Sequence, residues 1–121
     1  WEGTSAMSNN PTITLSEAAT NFKFVDIYSL PHSTNGIPLV VRLYSSDMAT
    51  YTNTNGSFTV IGHAGGGGFR INNCLLEFTT GYTVLKFSEQ KQSSIVGTAV
   101  TTTNTANSII KIVGIGRKEN A

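Results

Sequence analysis

Two Asn-Gly dipeptides and a run of four glycines cut the middle of this chain into short β-branched stretches. Asn35-Gly36 precedes Ile37-Pro38-Leu39-Val40-Val41-Arg42-Leu43-Tyr44, and Asn55-Gly56 precedes Ser57-Phe58-Thr59-Val60-Ile61. Asn-Gly supplies at low cost the positive φ that a tight hairpin turn requires. Gly65 to Gly68 breaks the next stretch in the same way. No long helical period runs between these breaks. A chain punctuated like this builds a strand-and-turn fold, and its residues name an architecture before they name a reaction.

Reading along the chain, Thr12-Ile13-Thr14-Leu15 forms a short strand after an irregular opening through Asn10. Ser16 to Thr20 reads as one helical turn capped by Ser16, too short to be more. Phe22 to Tyr28 is aromatic and β-branched, a strand closed by Leu30-Pro31 because proline cannot donate to a ladder. In the strand Leu39–Tyr44, Leu39, Val41 and Leu43 share one face, and Val40, Arg42 and Tyr44 share the other. A loop is expected from Ser45 to Asn55. Strands are expected over Phe58–His63, with Phe58 and Val60 on one face, and over Phe69–Thr79, with Cys74, Leu76 and Phe78 opposite Leu75 and Glu77. Gly81 marks a turn before a strand over Tyr82–Phe87. A Thr-rich edge strand over Ile95–Thr103 and a last strand over Ser108–Ile115 complete about eight strands of regular spacing. That spacing predicts an all-β fold, an antiparallel β-sandwich resembling a jelly roll.

Composition narrows the chemistry. The 121 residues suit a single β-sandwich domain, 1–121, that buries roughly two-thirds of the surface of its unfolded chain. Only 12% of residues are charged, and Ser, Thr and Asn make up about a third of the chain. The formal net charge is +1, which gives no electrostatic reason to expect nucleic acid. Lys111, Arg117 and Lys118 gather near the end, but three cations make a weak patch. No stretch approaches the ~18 apolar residues of a membrane span, so membrane insertion is not expected. No signal peptide is visible. The chain opens at Trp1 without an initiator Met, the expectation being a C-terminal fragment of a longer protein. Cys74, alone in an apolar run, is expected to be buried and inert.

Motifs that would carry catalysis are missing or mismatched. Gly62-His63-Ala64-Gly65-Gly66-Gly67-Gly68 lacks the Gly-Lys-Ser/Thr ending of a phosphate loop and runs from strand to strand. His32 and His63 lie far apart with no nearby ligand partner, so neither a metal nor any other cofactor is expected. Glycoside cleavage needs two facing carboxylates. Asp26 and Glu77 both fall in strands and could meet across a sheet, although a surface position or a structural hydrogen bond suits them better. No Gly-x-Ser-x-Gly occurs. Asn55-Gly56-Ser57 fits a glycosylation acceptor but is better read as a hairpin turn. What remains is a neutral, amide- and hydroxyl-rich surface with the tyrosines Tyr28, Tyr44, Tyr51 and Tyr82. Aromatic faces with fixed polar partners are how proteins hold sugars. The candidate ligand contacts are Tyr28, Tyr44 and Tyr51, with His32 and Asp47 from the polar loops His32–Gly36 and Asp47–Asn55.

The two ends carry a resemblance. Trp1-Glu2-Gly3, then Thr12-Ile13-Thr14-Leu15-Ser16, then Asn21-Phe22-Lys23-Phe24-Val25-Asp26-Ile27-Tyr28 resembles the start of the domain at the C-terminal tip of bacteriophage tail fibres and tailspikes. The closing Ile109-Ile110-Lys111-Ile112-Val113-Gly114-Ile115-Gly116 resembles the final strand of those domains. About a third of the chain is covered, and Pro31 to Ser94 carries no motif of the family. None of the shared motifs is catalytic. The resemblance implies a β-sandwich tip in a homotrimeric fibre, assembled in the host cytoplasm and carried on the virion. Such a tip contacts the bacterial surface, through a polysaccharide or lipopolysaccharide, or helps the trimer register. Strands apolar on both faces, Leu39–Tyr44 and Ser108–Ile115, fit either a trimer contact or the centre of a monomer's sandwich. Three readings follow: a non-enzymatic glycan-binding tip, a trimer clamp that touches no receptor, and, least favoured, a carbohydrate-active enzyme using Asp26 or Glu77.

Overall fold

The computed structural model describes residues 1–6, 10–30, 38–52, 57–64, 68–79, 81–96, 99–103 and 108–118. Both Asn-Gly turns, His32 and Gly65 to Gly67 fall outside them. The described chain is mostly strand, with two short 3-10 segments. The strands are β1 (Glu2–Ala6), β2 (Thr12–Thr14), β3 (Phe22–Leu30), β4 (Leu39–Tyr44), β5 (Ser57–Ala64), β6 (Gly68–Phe78), β7 (Val84–Val96), β8 (Ala99–Thr103) and β9 (Ser108–Arg117). They form two antiparallel sheets, β1-β9-β3-β4 and β2-β7-β6-β5, with β8 on the far end of β7. The first two strands divide between the sheets, β1 beside β9 and β2 beside β7, as in a jelly roll.

One apolar core lies between the sheets. Val25, Ile27, Leu43, Ile109 and Ile112 face it from the first sheet; Ile13, Phe58, Cys74, Leu76, Phe78, Leu85 and Phe87 face it from the second. Phe58 and Phe87 meet edge to face at 5.6 Å, a geometry worth about 0.5–1.5 kcal/mol beyond the area it buries. The expected alternation holds in β4 and along Cys74–Phe78 of β6, where inward residues are more buried than their neighbours. Phe58 lies in the core, while the Val60 side chain lies outside the described residues.

Several boundaries differ from the sequence expectation. The irregular opening is strand β1, because β9 offers it an edge to pair with. The capped turn at Ser16–Thr20 is instead a 3-10 turn over Ala19–Asn21, preceded by Ala18 with no side-chain cap. The loop after β4 is a 3-10 segment, Ser45–Thr52, whose Met48 is fully buried. β7 runs on through the polar residues 88–94 to Val96, and a separate β8 then pairs back onto it. Among the described residues β8 pairs only with β7, at the expected edge. Gly81 does mark a turn: Gly81 and Tyr82 have φ of +90° and +59°. Positive φ is unusual for tyrosine, and here the Tyr82 ring packs 5.9 Å from Phe78.

Candidate functional site

Strand alternation gives the β1-β9-β3-β4 sheet a second face that does not enter the core. Phe24, Asp26 and Tyr28 turn outward from β3 because Val25, Ile27 and Ser29 turn inward. Register sets their neighbours on this face. Phe24 lies between Tyr44 and Ile115, Asp26 between Arg42 and Val113, and Tyr28 between Val40 and Lys111. At strand spacings of ~4.8 Å and ~3.3 Å per residue, the three rows cover about 10 by 13 Å.

At the centre sits an ion pair. Arg42 donates from Nε to Asp26 Oδ1 at 2.8 Å and from Nη2 to Asp26 Oδ2 at 2.9 Å. The Asp26 side chain is 5% exposed and that of Arg42 43% exposed, so the carboxylate is sealed beneath the guanidinium. The hydrogen bonds to Asp26 are the main reason that Arg42 holds its proton more firmly than a free guanidinium does. The same guanidinium covers the Phe24 ring at 3.7 Å, and Tyr44 meets that ring edge-on at 5.9 Å. Lys111 lies 5.6 Å over Tyr28 and 3.6 Å from Glu2 on β1. Tyr44 and Val40 are 52% and 48% exposed. The face thus presents fixed aromatic and aliphatic surface, with two cations pinned against rings and partnered by carboxylates. It can receive an apolar surface or hydrogen-bond acceptors. The exposed face of the other sheet has a different chemistry: Thr59 bonds Asn73 at 3.0 Å, beside Ile61 at 60% exposure.

Of the five candidate contacts, this face collects Tyr28 and Tyr44. Asp47 is exposed in the 3-10 segment and is not on the three strands. The Tyr51 backbone lies in that segment and its side chain outside the described residues, as does all of His32. The sequence reading missed Arg42, Phe24 and Lys111. A signal for the first was present, since Asp26 is the one acid of its strand and Arg42 the one charged residue of the next.

Asp26 and Glu77 do not meet. They lie in different sheets, with Asp26 committed to Arg42 and Glu77 opposite Lys86. Among the described residues, no group of three His, Cys, Asp or Glu side chains is placed to hold a metal ion. Cys74 is buried, and desolvation pushes its thiol up to about 12. At the sheet's other end Arg117 grips Glu17 with two bonds, at 2.6 and 2.8 Å, which with Asn21 hold that carboxyl at about 2. No helix is long and apolar enough to cross a membrane among the described residues. No protein-family model, no curated protein and no solved structure matches the chain.

Proposed function

We propose that this chain is the receptor-binding tip domain of a bacteriophage tail fibre or tailspike, a non-enzymatic module that holds a bacterial surface glycan. The motif resemblance of its two ends supports the family, and the outer face of β9-β3-β4 supports the mode of binding. The observation that carries the reading is the half-exposed Tyr44 ring braced on Phe24 beside Arg42. A sugar ring offers C–H surface on one side and hydroxyls at its edge. Tyr44 and Val40 suit the first, while Arg42, Lys111 and the tyrosine hydroxyls suit the second. Asp26 fixes Arg42 in advance, so little side-chain entropy is lost on binding. In this reading the domain works as part of a homotrimer on the virion, and any catalysis belongs elsewhere in the fibre.

The second reading is a trimer clamp. Exposed Val40 and Tyr44 on a face whose charges are already paired suit contact with another subunit equally well. An array of bacterial capsular and lipopolysaccharide glycans, probed with the native protein and with Tyr44→Ala, separates the two. The receptor reading expects at least one glycan retained by the native protein and lost by the variant. A trimer in sedimentation with a silent array favours the clamp; a silent monomer removes both.

A further inference from the structure

The outer face of β9-β3-β4 presents hydrogen-bond donors at its centre and hides its one central carboxylate. A guanidinium carries five N–H groups. Arg42 gives two of them, from Nε and Nη2, to Asp26. Three remain, one on Nη2 and two on Nη1, and one from each nitrogen point the same way off the end of the planar group. Arg42 thus keeps a second two-pronged fork when the first is filled. Both Asp26 oxygens accept from Arg42 and the side chain is 5% exposed, so this carboxylate is closed to a ligand.

Lys111 is the second cation of the face. It lies diagonally across β3 from Arg42, two strands and two residues away, or about 12 Å in backbone position. Its side chain is 44% exposed, and its partner Glu2 stands 3.6 Å away in open solvent. A pair so open is worth little, and Lys111 can leave it at small cost.

This inventory separates two kinds of sugar. The hydroxyls of a neutral sugar donate as well as accept, and need acceptors on the protein. Besides the sealed Asp26, the side-chain acceptors on the three rows of this face are the phenol oxygens of Tyr28 and Tyr44. A carboxylate only accepts. Its two coplanar oxygens match the remaining fork of Arg42 in a charge-assisted bidentate pair.

On the glycan-binding reading of this face, we infer that the bound glycan is acidic: a sugar carboxylate, as in a hexuronic acid, docks end-on in the second fork of Arg42, and Lys111 meets a further negative charge of the same chain. Asp26 and the Phe24 ring, 3.7 Å below the guanidinium, hold the fork in place before the ligand arrives. The exposed surface of Tyr44 and Val40 then covers the C–H side of the sugar.

The test is calorimetry of the native protein against a panel of bacterial capsular and lipopolysaccharide fragments. Each uronic-acid glycan is paired with the same glycan after reduction of its carboxyl groups to primary alcohols, which keeps ring, linkage and hydroxyls and removes the charge. We expect a uronic-acid glycan to bind and its reduced form to bind at least about tenfold more weakly, because a charge-assisted bidentate pair is lost. Arg42→Lys keeps the charge but not the fork, and should lose most of that tenfold preference while its circular dichroism stays native. A reduced glycan held as tightly as its acidic parent overturns the inference and leaves the glycan reading standing. So does binding confined to neutral, sulfated or phosphorylated glycans, or a preference unchanged in Arg42→Lys. A panel in which nothing binds removes the glycan reading itself, and the acidic ligand with it.

Discussion

Replacing Asp26 tests the centre of the outer face, and two substitutions of similar size should behave in opposite ways. Asp26 is 4% exposed and accepts two bonds from Arg42. In Asp26→Asn the amide oxygen accepts one of these, but its NH2 group faces the other guanidinium N–H. A buried donor is then left without an acceptor, at about 1–3 kcal/mol, and the charge that strengthened the remaining bond is gone. We expect Asp26→Asn to cost about 2 kcal/mol in all. Asp26→Leu leaves no buried polar atom behind, and Arg42, 43% exposed, can turn to water. Removing one partner of a buried pair is costly when it strands a buried charge, and the exposed guanidinium avoids that, so this variant should stay within about 1 kcal/mol of the native protein. Urea unfolding followed by circular dichroism measures both, with the slope unchanged if only stability moves. The expected loss for Asp26→Asn corresponds to roughly 6–10 °C in Tm for a domain of this size. An Asn variant as stable as the native protein, or a Leu variant weaker than the Asn variant, would refute a carboxylate buried and paired by Arg42.

Other expectations follow from the surroundings of single groups. Cys74 is buried and its thiol is pushed up to about 12, so an aromatic disulfide reagent at pH 8 should leave it untouched in the folded protein and label it fully in urea. Glu17, held at about 2 against an ordinary 4.5, adds stability that is fully present above about pH 4.5 and lost as pH falls toward 2. Glu17→Gln should therefore lower Tm at pH 6 and converge with the native protein near pH 2, and because the pair is exposed the gap at pH 6 should shrink in 1 M salt. Asn72 is 1% exposed, and neither its Nδ2 nor its Oδ1 finds a partner among the described residues. Asn72→Leu should raise stability by about 1 kcal/mol in urea unfolding, and a loss of similar size would mean that the amide is bonded in solution.

Strands that alternate with one clear period were legible in the sequence. β4 was placed residue for residue, and Cys74, Leu76 and Phe78 face the core as their spacing demands. β7 was not, because Gln90-Lys91-Gln92-Ser93-Ser94 has the polarity of a loop; its strand form comes from β6 on one side and β8 on the other. β1 escaped for a related reason, since its order derives from β9, more than a hundred residues away. Met48 in the 3-10 segment had no period to announce it. Tyr28 and Tyr44 were visible as aromatic residues in strands, but their shared face required the pairing of β3 with β4. The Asp26–Arg42 contact depends on the same register, which the residue types alone do not disclose. Candidate loop residues such as Asp47 follow the general rule that loops bind, whereas among the described residues the half-exposed Tyr44 ring lies on a sheet.

The most direct test of the receptor account is an NMR titration of the isotope-labelled protein with bacterial surface polysaccharide fragments, read residue by residue. The account predicts shifts concentrated on Phe24, Tyr28, Val40, Arg42, Tyr44 and Lys111, and absent in Tyr44→Ala. Binding mapped to the Thr59–Asn73 face of the other sheet, or binding that survives unchanged in Tyr44→Ala, would contradict it.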